Sequence, residues 1–300
     1  METIKGKVTW IDIENPSPEE LEWLQDSMKC HPVIIEELKQ PSARTRVERF
    51  GDYIYLVYQF PIYDSREKVS RRGEIDLLIY KQHVVTVHYE PLEPLSIFRT
   101  SVENPDFKAK VLQDTLQLSY HLIGSFLDFN QRQLRHIQEK VEEAGLQLFS
   151  NKERHLLEQI SYLKRDLSEY RVIISPQEHL LRSFAENGIA FWGSNARIYL
   201  NDLLGDYLKV MNSIEDYRQA VADFEATNVQ LMNMKTTEVL KTFTILSFLT
   251  FPFMLFATIF SMNTSYTPIA EGPHGFWIIV GMIVAGMLAH IAYFKKKGWL

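Results

Sequence analysis

Residues 242–262 read TFTILSFLTFPFMLFATIFSM, and residues 275–294 read GFWIIVGMIVAGMLAHIAYF. Neither stretch contains Lys, Arg, Asp or Glu. At a rise of about 1.5 Å per residue, each would span about 30 Å as a helix, which is the thickness of the hydrocarbon core of a bilayer. Both stretches are therefore predicted to be transmembrane helices, and about 240 residues of polar chain precede the first one.

The flanking charges predict the orientation of the two spans. Lys and Arg beside a span are retained on the cytoplasmic side. Lys235 and Lys241 precede the first span and three lysines at 295–297 follow the second, whereas the loop 263–274 contains no Lys or Arg. We therefore expect the loop to lie outside and both termini to lie in the cytoplasm, with the protein in the cell (inner) membrane.

The chain before the spans is acidic. Residues 1–240 contain 28 Lys and Arg and 37 Asp and Glu, a formal net charge of −9. An acidic surface concentrates cations and repels nucleic acid, so nucleic-acid binding is not expected, although the same balance also serves ordinary solubility. The sequence contains no GxxxxGK[ST], HExxH or GxSxG motif and a single cysteine, Cys30. It offers no candidate for an enzyme site or an organic cofactor.

The first ninety residues predict a mixed α and β unit. Two short helices are expected at 17–28 and 32–39, the first with Ser17 as its N-terminal cap and Pro18 in its first turn. Short runs rich in β-branched and aromatic residues, bounded by Pro, Gly or charged turns, indicate strands. These runs are 8–13, 53–60, 74–80 and 83–89.

From about residue 94 the strand signals disappear. Apolar residues at three- and four-residue intervals predict a long amphipathic helix over 112–141 and a second over 153–174. The two helices are expected to form an antiparallel hairpin that turns near Ser150 and Asn151. A loop containing Gly188 and Gly193 is expected to follow the hairpin.

Helical character resumes at Ala196 and meets no proline before Pro252. This predicts a continuous helix of more than fifty residues that runs into the first span. An isolated helix of that length is not stable by itself, so we expect it to pack against copies of itself.

Two spans of one chain enclose no water-filled path, so a pore would need a ring of identical chains. Along the first span and just before it, small or hydroxylated residues recur among large apolar ones: Thr237, Thr244, Ser247, Thr258 and Ser261. These residues are candidates to line such a pore. Ser and Thr hydroxyls also commonly bond to carbonyls of their own helix, and the sequence leaves that alternative open.

Several local motifs point to one family. The first span leads directly into Met262 and Asn263, a short loop with Pro268, the last span and a basic, Trp-containing tail. The polar part contains His31-Pro32, Glu36-Glu37, Arg46-Val47-Glu48 before a strand, Tyr63-Asp64 after it, and Ile214-Glu215-Asp216-Tyr217-Arg218. In this layout the chain resembles the CorA family of divalent-cation transporters over most of its 300 residues.

One position departs from the family pattern. The family reads Gly-Met-Asn after the first span, whereas this chain has Ser261 at the first position. Glycine adopts the left-handed conformation after a helix end easily, and a serine there would carry a steric cost. Ser261 is therefore expected to change the bend of the pore mouth or to add a hydroxyl to it. A zinc-transporting branch departs at the middle residue, and Met262 does not follow that branch.

The resemblance implies an α+β cytoplasmic domain, with a mixed sheet and flanking helices, joined to a long stalk helix and two C-terminal transmembrane helices in a homopentameric funnel. It divides the chain into an α/β domain with a long helical hairpin (1–195), a stalk helix (196–241), a pore-lining transmembrane helix (242–262), an external loop (263–274), a second transmembrane helix (275–294) and a basic cytoplasmic tail (295–300).

The resemblance also implies roles for individual residues. Ser261, Met262 and Asn263 would form the selectivity filter, where a ring of Asn263 carboxamides holds a hydrated Mg²⁺ through its water shell. At the cytoplasmic end, a polar ring at Thr237 would precede a gate at Leu240 and Phe243 that excludes water, and Thr244 and Thr258 would line the path between. Asp64 and Asp202 would bind a regulatory divalent ion between neighbouring subunits.

The predicted function is channel-type uptake of Mg²⁺, with Co²⁺ and Ni²⁺ as further substrates. The membrane potential would drive it, and intracellular divalent ions would gate it. Two alternatives stay open. The first is a Zn²⁺ transporter of the same superfamily, which could be proton-coupled. The second is a membrane-anchored divalent-ion sensor that does not transport.

Overall fold

The computed structural model describes residues 1–64, 66–67, 69–149, 153–262, 269 and 272–298. The chain divides into two compact units, Met1–Glu225 and Ala226–Leu300. One helix, α8 (Ala196–Phe260), contributes residues to both units.

The first unit contains a mixed sheet with the strand order β1-β2-β6-β5-β4-β3. In this sheet β2 runs parallel to β6, whereas the other neighbouring pairs are antiparallel. The strands are β1 (Glu2–Lys5), β2 (Thr9–Glu14), β3 (Arg46–Phe50), β4 (Tyr53–Asp64), β5 (Val69–Ile79) and β6 (His83–His88). The four predicted strands correspond to β2, β4, β5 and β6.

The sequence does not predict the two edge strands, β1 and β3. An edge strand pairs on one side and is open to solvent, so it does not need the apolar run that marks a central strand. β1 reads ETIK and β3 reads RVERF, and both are largely exposed or half-buried. Their pairing with β2 and β4 depends on tertiary contacts.

The helices of the first unit surround the sheet. They are α1 (Pro18–Asp26), α2 (Pro32–Glu37), α3 (Glu93–Val102), α4 (Pro105–Val111), α5 (Thr115–Gln147), α6 (Glu153–Ile174), α7 (Gln177–Trp192) and the first part of α8. Ser17 caps α1 as predicted, because its hydroxyl accepts from the Glu20 N–H and the Glu20 carboxylate accepts from the Ser17 N–H. The predicted turn of the α5–α6 hairpin lies outside the described residues.

The predicted loop before α8 is wrong in part. Gly193 does end α7, with a φ of 98°, but Gly188 lies inside that helix. A Cβ at Gly188 would lie 2.6 Å from Cδ1 of Leu200 and 3.0 Å from Cζ3 of Trp192. Glycine at this position therefore allows α7 and α8 to approach closely and does not mark a turn.

Both faces of the sheet are covered. Side chains on both sides of β4 are therefore buried, which explains why its sequence is almost continuously apolar. Tyr53, Tyr55 and Val57 belong to the core that also contains the apolar residues of α1 and α2. Alternate residues face the other way: the Phe60 ring packs 4.7 Å from the Phe126 ring of α5, measured between centroids. The sheet is thus a buried central layer.

The second unit contains the end of α8 and α9 (Gly275–Lys296). In the described part of the chain, these two helices are long and apolar enough to cross a membrane, and only 6% of each apolar window is buried. Such exposure differs from that of a core helix in a globular domain. The predicted long helix is confirmed, since α8 has 65 residues and continues through Pro252.

Candidate functional site

The predicted pore residues share one side of α8. At about 100° per residue, they fall within about 120° of one another around the helix. They are Thr237, Leu240, Phe243, Thr244, Ser247, Thr258 and Ser261. Leu240 is 60% exposed and Phe243 is 63% exposed in the single chain. Large apolar side chains this open in one copy are available to face a water path, lipid or another copy.

The threonine hydroxyls of this stripe bond to their own helix. Thr237 donates to the Asn233 carbonyl at 2.9 Å, Thr244 donates to the Leu240 carbonyl at 2.8 Å, and Thr258 donates to the Met254 carbonyl. The alternative that the sequence left open is therefore realised. Each hydroxyl oxygen still has lone pairs to accept a hydrogen bond, so the stripe can present acceptors to the water shell of a cation.

Ser261 closes the end of α8 without a left-handed backbone. Its N–H lies 3.1 Å from the Ala257 carbonyl, and its hydroxyl donates to the Thr258 carbonyl at 2.9 Å. Among the described residues other than glycine, a positive φ occurs at Asn15, Lys29 and Ile269, not at Ser261. The predicted steric cost of serine is therefore wrong for this conformation, because the residue continues the helical turn.

The other filter residues are only partly described. Met262 is 59% exposed at the end of α8. Asn263, the residue predicted to select the ion, lies outside the described residues, so its role stays a prediction.

Asp64 lies at the end of β4 and accepts two backbone hydrogen bonds. Its Oδ1 accepts from the N–H of Arg66 at 2.8 Å and from the N–H of Glu67 at 3.3 Å. These bonds lower the pKa of Asp64, and the nearby charge of Arg71 lowers it further. The carboxylate is thus held ionised and half-exposed, which suits a ligand for a divalent ion.

Asp202 is exposed on α8 and accepts a hydrogen bond from α5. The Tyr120 hydroxyl on α5 donates to its Oδ2 at 2.6 Å. This bond, together with burial, raises the pKa of Tyr120 to about 12, so the tyrosine stays a donor at neutral pH. Within one chain, no group of three or more His, Cys, Asp and Glu among the described residues is placed to hold a metal ion.

A groove beside Asp202 contains acids that the sequence analysis missed. The groove has a volume of about 320 Å³, and Tyr120, Asp128 and Asp206 contribute to its lining. Burial raises the pKa of Asp128, and the charge of Asp206 acts in the same direction. The four-residue spacing of Asp202 and Asp206, which places both on one face of α8, is the sequence signal that could have identified this side.

The whole chain can be compared with known families. A model described as the CorA-like Mg²⁺ transporter protein matches residues 5–296. The chain belongs to this family. The resemblance found in the sequence is thereby confirmed, and the protein is a membrane protein of a transporter family.

Individual relatives match along almost the whole chain. The cobalt/magnesium transport protein CorA of Methanocaldococcus jannaschii is 21% identical over 294 residues, which cover 98% of this chain and 92% of the relative. The cobalt/magnesium transport protein CorA of Thermotoga maritima is 23% identical over 294 residues, which cover 97% of this chain and 83% of the relative.

The complete structure of the CorA magnesium transporter from Methanocaldococcus jannaschii has the same fold. The match has a TM-score of 0.87 at 20% identity, and it covers 100% of this chain and 95% of that chain. The predicted fold is confirmed: a mixed sheet with flanking helices, a long helix and two C-terminal helices that are candidates to cross the membrane.

Proposed function

We propose that this protein is a channel-type transporter that takes up Mg²⁺, with Co²⁺ and Ni²⁺ as further substrates. It would work as a homopentamer in the inner membrane, with both termini in the cytoplasm. The one-sided stripe of hydroxyl and apolar residues on α8, in a chain of this family, is the observation that carries the proposal. The relatives named as cobalt/magnesium transporters support the choice of ion.

Selection in this proposal occurs at the outer end of α8. Mg²⁺ loses its water reluctantly, so five Asn263 carboxamides would hold the ion through its hydration shell. Neutral amide oxygens hold the ion less tightly than a ring of carboxylates, which favours release into the path. The hydroxyl oxygens of Thr258 and Thr244 would then accept hydrogen bonds from the same water shell.

The gate in this proposal lies at the inner end of the stripe. Leu240 and Phe243, one helical turn apart, would form two apolar rings in which water is unstable, and hydrated ions would stop there. Asp64 of one subunit and Asp202 of the next would bind intracellular Mg²⁺ and hold the rings closed. When the gate opens, a membrane potential of 100 mV supplies about 4.6 kcal/mol for a divalent ion.

Ion uptake into liposomes tests the proposal directly. We expect the parent protein to admit Mg²⁺, and we expect Asn263→Ala to reduce the flux by about tenfold or more, because the ring that holds the water shell is removed. Ser261→Gly, at another filter position, is measured in the same assay. The Ser261 hydroxyl donates to the Thr258 carbonyl of its own helix, so we expect the flux of this variant to stay close to that of the parent.

The outcomes separate the alternatives. Zn²⁺ flux without Mg²⁺ flux would show that the zinc alternative is right. A silent parent that gains flux with Ser261→Gly would show that the chain is a sensor whose transport is blocked at this position. Equal flux in the parent and in Asn263→Ala would overturn the assignment of the selecting residue.

A further inference from the structure

The second unit has an open apolar groove between its two membrane-spanning helices. The helices lie close together at Gly286, where a Cβ would lie 2.5 Å from Cε1 of Phe253. Toward the end of α9 they leave a groove of about 550 Å³, lined by Phe248, Ala289, His290, Tyr293 and Phe294. Because both helices belong to the membrane, this groove opens to lipid in the single chain.

The lining of the groove is mainly apolar and aromatic, so it favours an apolar ligand. His290 and Tyr293 supply the polar groups of its lining, and the Nδ1 of His290 lies 3.0 Å from the Gly286 carbonyl. A carbonyl can only accept, so Nδ1 donates and the ring N–H is satisfied within α9. The ring also packs edge-on against Phe253 at 5.4 Å. The occupant is therefore expected to be a hydrocarbon chain.

Four lysines lie near the end of the groove. Lys241 and the lysines at 295–297 are exposed. The ammonium group of Lys241 lies 3.5 Å from the Gly298 carbonyl. This part of α8 therefore lies beside the residues that follow α9. Lys297 lies over the Tyr293 ring at 5.5 Å, and this ring also lines the groove. Lys297 thus lies at the mouth of the groove, and Lys241, Lys295 and Lys296 lie at the same end of the second unit.

Acidic residues barely offset this charge. In the described part of the second unit, Glu238 is the one acidic residue, against five lysines that include Lys235 and Lys241. Clustered lysines directly beside a span attract anionic lipid headgroups, and basic pockets between transmembrane helices hold such headgroups. An apolar groove under a cationic mouth matches a molecule with a hydrocarbon chain and a negative head.

We propose that the groove between α8 and α9 binds an acyl chain of an anionic phospholipid, with the phosphate against Lys241 and the lysines at 295–297. The site differs from the proposed ion path, which follows another set of α8 residues. It depends on the membrane placement of the two helices and does not depend on which ion is carried.

Electron paramagnetic resonance with spin-labelled lipids tests the site in the full-length protein. The measurement is the fraction of motionally restricted chains for labelled phosphatidylglycerol and for labelled phosphatidylcholine, in otherwise identical vesicles. We expect the parent to prefer the anionic lipid by about threefold or more. The preference should fall as salt is raised, because salt screens the headgroup contact.

Variants separate the two halves of the site. Replacing Lys295, Lys296 and Lys297 together by Gln should abolish the preference for the anionic lipid. Ala289→Trp fills the groove and should lower the restricted fraction of both lipids. Ile291→Trp is the matched control, because Ile291 is 40% exposed on the same helix and does not line the groove. It should behave as the parent does.

Equal association of the two lipids with the parent at low salt would overturn the proposal without any variant. So would an unchanged restricted fraction in Ala289→Trp. If Ala289→Trp instead shifts the oligomer on size-exclusion chromatography and leaves lipid binding unchanged, a neighbouring copy covers the groove and the lipid assignment is wrong.

Discussion

At the scale of single residues, strand β5 carries two buried acids. Glu74 and Asp76 are two positions apart on β5, so they face the same side, and they are 7% and 0% exposed. Glu74 accepts from the Ser42 N–H at 2.6 Å and from Gln59 Nε2 at 2.7 Å. Asp76 accepts from the Tyr89 hydroxyl through Oδ2, while its Oδ1 has no partner.

Burial changes the protonation of this pair. Loss of solvent raises the pKa of Glu74, and it raises the pKa of Asp76 well above the ordinary value. The charge of Glu74 acts on Asp76 in the same direction, whereas Arg46 opposes it. A pKa that is raised in the folded state gives stability that is complete below the unfolded pKa and is lost as pH rises through the folded pKa.

Asp76→Asn therefore tests a pH effect on stability. The amide keeps the shape of the side chain and cannot ionise, so the free energy of unfolding should depend less on pH above about pH 4, the ordinary pKa of an aspartate. A tenfold change in proton affinity between the folded and unfolded states corresponds to about 1.4 kcal/mol. Denaturant unfolding of the full-length protein in detergent, at several pH values, measures the change.

The control for this prediction is Asp26→Asn, which changes an exposed aspartate at the end of α1. It should leave the pH profile as it is in the parent. An equal flattening of the profile in both variants would show that the buried acid is not the source.

At the scale of elements, Gly286 allows α8 and α9 to lie close together. A Cβ at Gly286 would meet the Phe253 ring at 2.5 Å, whereas a Cβ at Gly281 would meet nothing within 4 Å. Small residues permit close helix contact in lipid, where no hydrophobic force drives helices together. The two glycines therefore form a matched pair on the same helix.

We expect Gly286→Leu to destabilise the second unit by about 1–3 kcal/mol, the usual cost of overpacking. Gly281→Leu should have little effect in the same assay, a thermal unfolding scan of the purified protein in detergent. Equal losses for the two variants would mean that Gly281 also packs against protein in the assembled molecule, and that the α8–α9 contact is not the sensitive one.

At the scale of the whole molecule, the proposed regulation depends on a contact between copies. We propose that Asp64 and Asp202 of neighbouring subunits share a divalent ion, because two carboxylates repel each other until a cation bridges them. Bound Mg²⁺ would then hold the ring in one closed arrangement, and its removal would loosen the subunits.

Protection from protease measures this contact. In the parent, Mg²⁺ should slow tryptic digestion of the detergent-solubilised protein. Asp202→Asn should raise the Mg²⁺ concentration for half-protection by about tenfold, the factor that corresponds to about 1.4 kcal/mol. Asp216→Asn, an exposed aspartate on the same helix, is the control and should match the parent. An unchanged midpoint in Asp202→Asn would exclude Asp202 as a ligand.

Sequence alone predicted the features that are determined by residues close together in the chain. The two spans follow from uninterrupted apolar runs, the long helix follows from the absence of proline between Ala196 and Pro252, and the start of α1 follows from Ser17. The stripe on α8 also follows from spacing, because helical geometry converts three- and four-residue intervals into one face. These features need no knowledge of distant residues.

Tertiary structure decided the features that depend on distant partners. Gly188 was predicted to lie in a loop, whereas the close approach of Leu200 explains why glycine is needed there. The burial of Glu74 and Asp76 depends on the residues that cover the sheet. The hydrogen bond to Asp202 comes from Tyr120, which is 82 positions away in the chain. The local sequence pattern predicts which face of a helix or strand is buried. The protonation of a buried acid, the close approach of two helices and the partner of a hydrogen bond depend on residues that are distant in the chain.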